Sequence, residues 1–348
     1  MAERITIRRP DDWHLHVRDG AMLKASLPFS ARTFGRGIIM PNLIPPVRTV
    51  ADAVAYRARL LAALPEGSTF EPLMTCYMTD DTSPDEVERG FRERVFTAVK
   101  IYPANATTKS AAGVTDFRKI RPVLARMEKI GMPLLIHGEE ADPAIDVFDR
   151  EAVFIDRWLR HWLKDFPRLK MVLEHISTAT AVAFVRSVAP QLGATITPYH
   201  LMLTRTDMLG YGIKPYFYCM PVLKRESDRL ALREAATSGD PCFFLGTDSA
   251  PHPVARKLDV TGIPGLFNSP VAIESYAQVF EEEGKLKNLE AFAALNGARH
   301  YGLPVNGDTI TLEASPWTAP AEVRVEGPDG RALIHRGGEE IRWRVVAA

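Results

Sequence analysis

The chain has 348 residues, of which 46% are hydrophobic and 25% are charged, as in ordinary soluble globular proteins. This composition excludes a chain that is mainly disordered, collagen-like or coiled coil. The 43 basic residues balance 43 acidic ones, so the net charge gives no general attraction to nucleic acid or to an anionic membrane. The length suits one large α/β barrel or two ordinary domains.

The sequence shows no signal for export or for membrane insertion. No apolar run reaches the roughly 18 residues that a transmembrane helix needs, and the first residues lack the basic-then-apolar design of a signal peptide. The three cysteines, Cys76, Cys219 and Cys242, are widely spaced in apolar stretches, which predicts reduced core thiols rather than a zinc-binding pair. We therefore expect a cytoplasmic protein that does not act on a membrane.

Short apolar runs typical of β-strands recur along the chain, and most are followed by a segment with a helical pattern. Eight such runs lie near residues 13–16, 37–40, 72–77, 96–102, 133–137, 171–175, 194–197 and 242–248. Most of them are continuously apolar, which is typical of parallel strands buried on both faces. Helical patterns occupy residues 51–63, 84–95, 117–129, 149–165 and 227–238. Helix starts are predicted at Ser83-Pro84-Asp85 and at Thr115-Asp116.

Eight strand–helix units in a chain of this length predict a TIM barrel. A doubly wound open sheet is the alternative, but it predicts a glycine-rich phosphate loop, and the sequence contains no G-x-G-x-x-G motif. Residues 305–348 differ, because apolar and polar residues alternate there between turn signals such as Gly327-Pro328-Asp329-Gly330. We predict one domain over residues 1–348, with a barrel over about 10–304 and a small antiparallel β appendage over about 305–348.

Several ionisable residues lie at the ends of the predicted strands. His14 and His16 are two residues apart in the first strand, so both imidazoles face the same side. His137 ends the fifth run, His175 ends the sixth, and Asp248 ends the eighth. Each of them has a structural alternative when taken singly, namely a solvated or hydrogen-bonded histidine, or a carboxylate that caps the next helix.

Lys100 interrupts an otherwise apolar strand pattern over residues 97–102. A lysine in such surroundings is costly unless it is paired or neutral, and a neutral amine can take up CO₂ to form a carbamate that bridges two cations. A buried salt bridge is the alternative for this lysine considered alone. The six residues together favour a two-metal site, because strand ends form the functional face of a TIM barrel. Nitrogen and oxygen ligands without thiolates suit Zn²⁺, and also Mn²⁺ or Co²⁺.

The segments around these residues resemble the amidohydrolase superfamily, and more closely the dihydroorotases of the shorter bacterial type (class II). The resemblance runs from residue 10 to beyond residue 300, and its motifs are specific in order and spacing. The segments that carry it are 12–20, 40–43, 99–103, 136–139, 174–177, 197–201, 214–215, 221–224 and 245–252.

This resemblance implies a metal-dependent reaction on a small molecule, the reversible cyclisation of N-carbamoyl-L-aspartate to L-dihydroorotate in de novo pyrimidine (UMP) biosynthesis. It implies two divalent metal ions, Zn²⁺ first among them, with a bridging hydroxide and with Asp248 as general base and then general acid. The implied ligands are His14, His16 and Asp248 for the more buried metal, His137 and His175 for the more exposed metal, and Lys100, as N6-carboxylysine, between the two. Relatives of this type also lead us to expect a homodimer.

The resemblance further implies how the substrate binds. Arg18, Asn42 and His252, which we call the carboxylate clamp, would hold its α-carboxylate. Further substrate contacts are implied for His16 and His137, for Thr107 and Thr108 of a closing loop (residues 104–110), and for backbone groups near Met220 and Pro264. Pro264 departs from the family pattern, because proline has no N–H and only its carbonyl can serve.

Two other functions are consistent with parts of the pattern. Another cyclic-amide hydrolase, of the hydantoinase or allantoinase type, would use the same metal site, but a neutral hydantoin does not require the carboxylate clamp. Such relatives also commonly have a longer N-terminal β segment before the H-x-H strand. A non-catalytic barrel would lack some of the ligands, and none is missing. The neutral charge and the absence of a basic stripe argue against nucleic-acid binding.

Overall fold

A computed structural model describes residues 3–347. Its strands are β1 (Arg4–Arg8), β2 (Asp12–Leu15), β3 (Arg36–Ile39), β4 (Glu71–Tyr77), β5 (Ala98–Ile101), β6 (Leu134–Ile136), β7 (Met171–Leu173), β8 (Leu192–Ile196), β9 (Phe243–Leu245), β10 (Thr309–Thr318), β11 (Glu322–Arg324), β12 (Arg331–Leu333) and β13 (Glu340–Ala347). Strands β2 to β9 form one parallel sheet of eight strands in chain order. The TIM-barrel prediction is confirmed, and each of the eight predicted runs contains or overlaps one barrel strand.

Helices follow the barrel strands along the chain. They are α1 (Gly20–Thr33), α2 (Val50–Ala63), α3 (Pro84–Arg92), α4 (Arg121–Ile130), α5 (Arg150–Phe154), α6 (Arg160–Asp165), α7 (Ala179–Val188), α8 (Pro198–Met202), α9 (Arg205–Leu209), α10 (Glu226–Thr237), α11 (Val254–Lys257), α12 (Ala272–Glu282) and α13 (Asn296–Tyr301). A π-helical turn, Ile155–Leu159, joins α5 to α6, and a second, Ala291–Leu295, leads into α13. None of the helices among residues 3–347 is long and apolar enough to cross a membrane.

The first and last barrel strands meet through backbone hydrogen bonds. The N–H of His16 donates to the carbonyl of Ser249 at 3.0 Å, and the N–H of Asp248 donates to the carbonyl of His14 at 2.9 Å. Because these bonds join the carboxyl ends of β2 and β9, residues far apart in the sequence become neighbours. This closure places the side chains of His14, His16 and Asp248 next to one another at the carboxyl end of the barrel.

The apolar side chains of the barrel form two layers. One cluster takes residues from seven of the strands or their ends, namely Trp13, Ile38, Met40, Leu73, Ala98, Leu135, Val172 and Phe244. Their neighbours along the chain, such as Ile39 and Leu173, belong instead to the larger cluster that includes helix residues. This alternation follows from the two-residue period of a strand. The inner apolar cluster fills the barrel, and the polar side chains lie at the carboxyl ends of the strands.

A second, antiparallel sheet lies beside the barrel. It has the order β1-β10-β13, and a separate hairpin pairs β11 with β12. The antiparallel C-terminal strands are those expected from the alternating pattern. The sequence pattern predicts no strand at β1, which pairs with β10 from Arg4↔Glu313 to Arg8↔Thr309.

One predicted helix start is wrong and another is confirmed. Helix α4 begins at Arg121 rather than at Thr115-Asp116. The Asp80 carboxylate accepts hydrogen bonds from the N–H of Thr115 at 2.8 Å and from its hydroxyl at 2.5 Å, so Thr115 is bound to another loop and caps no helix. Ser83 does cap α3, since its side chain accepts from the N–H of Glu86. The three cysteines are free and buried, as predicted.

Candidate active site

Three predicted metal ligands converge at the junction of β2 and β9. The Oδ1 atom of Asp248 lies 3.3 Å from Nε2 of His14 and 3.1 Å from Nε2 of His16. The two imidazole Nε2 atoms are 3.2 Å apart. All three side chains are buried, and their ligand atoms lie within 4.8 Å of one another. Such a buried set of nitrogen and oxygen donors fits a divalent cation of the Zn²⁺ type.

A second group of donors lies beside the first. The Nε2 atom of His175 is 3.2 Å from Nδ1 of His137. His14, Glu174 and His175 also place ligand atoms within 4.8 Å of one another. Lys100, fully buried, contacts the carboxylate of Glu174 with its Nζ. The structure therefore brings together all six predicted ligands, and it shows Lys100 in the ion pair that was its structural alternative.

Each donor group includes a histidine whose other ring nitrogen faces a glutamate that was not singled out from the sequence. The Nδ1 atom of His14 lies 3.0 Å from the Glu174 carboxylate. The Nε2 atom of His137 lies 2.8 Å from the Glu139 carboxylate. Metal-bound histidines commonly donate their second nitrogen to a carboxylate, which fixes the ring orientation. Each glutamate lies within two residues of a predicted ligand, and that proximity is the signal that could have found it.

Three of the predicted site residues have positive φ angles, which residues other than glycine rarely adopt. The φ angles are 62° for Arg18, 43° for His175 and 44° for Asp248. Such conformations persist where surrounding bonds hold them, and they cluster at functional sites. The hydroxyl of Tyr56 donates to the carbonyl of Arg18 at 2.5 Å, and the hydroxyl oxygen of Thr195 accepts from the N–H of His175 at 2.7 Å.

Burial and charge set the protonation of these groups. Burial lowers the pKa of His16 to about 3 and lowers the pKa of His175 well below its usual value, so both rings are neutral and able to ligate. Burial alone would raise the pKa of Asp248, but His14 and His16 outweigh it and hold that pKa well below the usual range. Burial also lowers the pKa of Lys100.

The carboxylate clamp is assembled next to these donors. The Nη2 atom of Arg18 lies 2.8 Å from Nε2 of His252. Asn42 donates through Nδ2 to the carbonyl of Thr108 at 3.0 Å, and the Thr108 hydroxyl donates to the carbonyl of Pro264 at 3.1 Å. The carbonyl of Pro264 thus lies among the clamp residues, and its contact with a substrate stays a prediction.

The single Nε2 atom of His252 faces two incompatible neighbours. It lies 2.8 Å from the guanidinium of Arg18 and 3.1 Å from the carbonyl of Pro264. Arginine only donates and a carbonyl only accepts, so one ring nitrogen cannot satisfy both. An anion that contacts both side chains would accept from the Arg18 guanidinium and from a protonated Nε2 of His252, which removes the conflict. The arrangement is therefore suited to a carboxylate.

The remaining predicted contacts line one narrow cavity of about 20 Å³. Its lining is His14, His16, Arg18, Asn42, Tyr102, Thr107, Thr108, His137, His175, Met220, Asp248, Ala250, Pro264 and Gly265. Lys100 and His252 are the two predicted residues outside this lining. Each contacts a member of it, because Lys100 Nζ lies 4.9 Å from the Tyr102 ring centroid and His252 contacts Arg18.

Known proteins share this architecture. The model of the amidohydrolase family matches residues 11–312. The chain belongs to the amidohydrolase family. One amidohydrolase relative, a curated dihydroorotase from Synechococcus sp. (strain RCC307), is 56% identical over 345 residues, which cover 99% of this chain and 98% of the relative.

Solved structures of amidohydrolases differ in how closely they match this chain, and this difference bears on the hydantoinase alternative. The crystal structure of dihydroorotase in complex with 5-fluoroorotic acid from Saccharomyces cerevisiae matches with a TM-score of 0.91 and 32% identity, covering 99% of this chain and 98% of that one. An L-hydantoinase (dihydropyrimidinase) from Arthrobacter aurescens gives a TM-score of 0.77 at 17% identity, covering 99% of this chain and 85% of that one. The second likeness shows the fold alone, so the hydantoinase alternative is not favoured for this amidohydrolase.

Proposed function

We propose that this chain is a dihydroorotase, which interconverts N-carbamoyl-L-aspartate and L-dihydroorotate in pyrimidine biosynthesis. The observation that carries the proposal is the carboxylate clamp, with Arg18 and His252 only 2.8 Å apart beside a set of buried metal-type donors. L-Dihydroorotate has both a ring amide and a carboxylate, so its turnover needs both features in one cavity. The 56% identity to a dihydroorotase over nearly the whole chain supports the same reaction.

We propose that two divalent metal ions, Zn²⁺ first among them, bind at this site. His14, His16 and Asp248 would hold one, His137 and His175 would hold the other, and Lys100 would lie between them as N6-carboxylysine. The buried nitrogen and oxygen donors support this assignment. When bound, such metals supply a water that is activated at neutral pH and polarise the carbonyl of the ring amide.

The chain's own residues bind the substrate and move its proton. Arg18, Asn42 and His252 hold the carboxylate, since the guanidinium offers a fork of donors that matches it. In the hydrolytic direction Asp248 takes the proton of the attacking water and delivers it to the ring nitrogen, as general base and then acid. Ring closure reverses these steps. Because N-carbamoyl-L-aspartate has two carboxylates and L-dihydroorotate has one, ring closure consumes a proton and is favoured at lower pH.

We further propose that the chain acts as a single domain, in the cytoplasm, as a homodimer. The support is the continuous match to full-length relatives and the family resemblance. Light scattering of the purified protein tests the dimer directly, because a monomer mass of 38.7 kDa is easily distinguished from twice that value.

The test of the function is Arg18→Met, assayed on dihydroorotate and on hydantoin in parallel. Loss of a charge-assisted contact costs about 1.5–3 kcal/mol, so kcat/KM for dihydroorotate should fall at least tenfold, mainly through KM, with both metals retained. Any hydrolysis of hydantoin, which lacks the carboxylate, should change little.

The matched control is Arg59→Met. Arg59 pairs with Asp19 at 2.9 Å on the surface, close to the site but outside its cavity. This variant should leave both activities unchanged. An equal fall on both substrates in Arg18→Met would mean that Arg18 supports the site generally, and wild-type protein inactive on dihydroorotate would overturn the proposed function.

A further inference from the structure

Tyr199 directly contacts the proposed general base. It follows β8 in the short helix α8, and its side chain is fully buried. Its hydroxyl donates to Oδ2 of Asp248 at 2.5 Å. The proposed chemistry assigns this tyrosine no role.

The two oxygens of Asp248 have different surroundings. Oδ1 faces the imidazoles of His14 and His16, where the metal donors converge. Oδ2 points the other way and is bound by the Tyr199 hydroxyl. If Oδ1 is the ligand atom, then Oδ2 is the oxygen left to carry the proton. A carboxylate oxygen accepts more than one hydrogen bond, so the bond from Tyr199 leaves a lone pair of Oδ2 available.

Tyr199 is itself held rigidly. Thr197 caps α8 by accepting from the N–H of His200, which fixes the first turn that contains Tyr199. The Tyr199 ring packs against the His200 ring at 4.8 Å and against the His335 ring at 6.4 Å between centroids. Because ring and helix are both fixed, the hydroxyl has little freedom to follow a rotating carboxylate.

We propose that Tyr199 is a positioning residue for Asp248. It keeps Oδ1 directed at the proposed metal ligands and holds Oδ2, the oxygen left to take the proton, in one orientation. This inference rests on the proposed function, because it concerns how Asp248 performs the proton transfer assigned to it there. Without the hydroxyl, the carboxylate can rotate and lose the orientation in which it takes and returns the proton.

The test compares Tyr199→Phe with Tyr276→Phe. Both changes remove one buried tyrosine hydroxyl near the carboxyl ends of the barrel strands. The Tyr276 hydroxyl donates to the carbonyls of Ile196 and Gly246, at 2.7 and 3.3 Å, and does not contact Asp248. Each variant is assayed for kcat and KM on dihydroorotate, for zinc content, and for the visible absorption spectrum of its Co²⁺-substituted form.

Tyr199→Phe should lower kcat about tenfold or more, which corresponds to a bond of about 1.4 kcal/mol or more to a charged group. KM should stay within about twofold and zinc content should be unchanged, while the Co²⁺ spectrum shifts because the Asp248 ligand is reoriented. Tyr276→Phe should keep the wild-type kcat and spectrum.

Two results would overturn the inference. One is a Tyr199→Phe protein with wild-type kcat and Co²⁺ spectrum, and the other is an equal fall of kcat in both variants, which would indicate a general loss of barrel rigidity. Neither result touches the proposed function, which fails only if the wild-type enzyme does not turn over dihydroorotate.

Discussion

Lys100 and Glu174 are opposite charges buried inside the barrel, each with a fully buried side chain. Burying such a pair is costly, and a pair that is not needed for function is often replaced by apolar residues without loss of stability. Lys100 lies among the proposed metal ligands. Its proposed role as a bridging carbamate gives a reason for the cost of burying the pair. In the proposed carbamate, the same lysine side chain would take a second chemical form in place of this ion pair.

Lys100→Ala should abolish activity and lower the bound metal toward zero, because the proposed bridge is lost. Short carboxylic acids added to the variant should restore some turnover by replacing the carbamate. The measurements are metal per chain and kcat, with circular dichroism to show that the protein is folded.

Lys224→Ala is the control for Lys100→Ala. Lys224 is also a buried lysine, and its Nζ donates to the Ser177 hydroxyl at 3.1 Å and to the carbonyl of Val222 at 2.9 Å, outside the donor set. It should keep its metal even if it is less stable. Full metal content and activity in Lys100→Ala would rule out the bridging role.

For individual residues, the sequence predicted which ionisable side chains would come together at the site. It did not predict all of the groups that contact them. Lys100 stood out because a charged group in an apolar strand needs a partner, and His14 and His16 stood out because their two-residue spacing puts both imidazoles on one face. Tyr199 did not stand out, because a tyrosine after a proline is typical of an ordinary helix start and buried ring. Its bond to Asp248 depends on where β8 and β9 place their ends, which no local pattern contains.

Among the larger elements, the closing loop is fastened to both sides of the cavity. Thr108 accepts from Asn42 through its carbonyl and donates to Pro264 through its hydroxyl. These bonds join the loop after β5 to those after β3 and β9. The loop is therefore held across the cavity without substrate by one bond from its backbone carbonyl and one from its own side chain.

Thr108→Val should release this loop, because valine keeps the shape of threonine but cannot donate to Pro264. Loss of one neutral hydrogen bond of about 1 kcal/mol should speed amide hydrogen exchange in residues 104–113 about fivefold in the substrate-free protein. Mass spectrometry of peptic fragments measures this rate.

Thr107→Val is the comparison for the loop. Its hydroxyl makes no hydrogen bond among those described for residues 3–347, while its backbone N–H and carbonyl bind Ser110. This variant should leave exchange unchanged in the absence of substrate. If both variants exchanged equally fast, the contact with Pro264 would not be what holds the loop.

Element boundaries were predicted least well where side chains bond to distant loops. Thr115 has the composition of a helix cap, but the Asp80 carboxylate binds it from a loop 35 residues away. Within residues 3–347, no distant carboxylate is hydrogen-bonded to Ser83, which caps α3 as expected. The apolar strands were predicted well because burial on both faces is a property of the strand itself.

Across the whole molecule, the barrel and the antiparallel sheet share one core. Ile7 of β1 is buried in the same cluster as Ile310, Leu312 and Trp343, together with barrel and helix residues. A strand of only five residues, with its partner at the other end of the chain, has no local signal that would reveal the pairing. The sequence therefore predicted the C-terminal strands of this sheet without its first one.

Ile7→Ala should destabilise the entire molecule, although Ile7 lies outside the barrel. Removal of a buried isoleucine side chain costs about 2–4 kcal/mol when the cavity does not collapse, so the urea midpoint should fall clearly. Thr6→Ala on the exposed face of the same strand should cost far less. If only the near-terminal peptides lost protection from hydrogen exchange in Ile7→Ala, the two sheets would unfold separately.

Because β1 pairs with β10, the first strand has no partner during most of the synthesis of the chain. Arg4 and its partner Glu313 are 309 residues apart. At the usual 5–20 residues per second, the first strand leaves the ribosome about 15–60 s before its partner exists. During that interval it is an unpaired edge, which invites pairing with other chains. Because charged side chains on an edge strand oppose such pairing, we expect the exposed Arg4 and Arg8 to reduce aggregation of the chain during its synthesis.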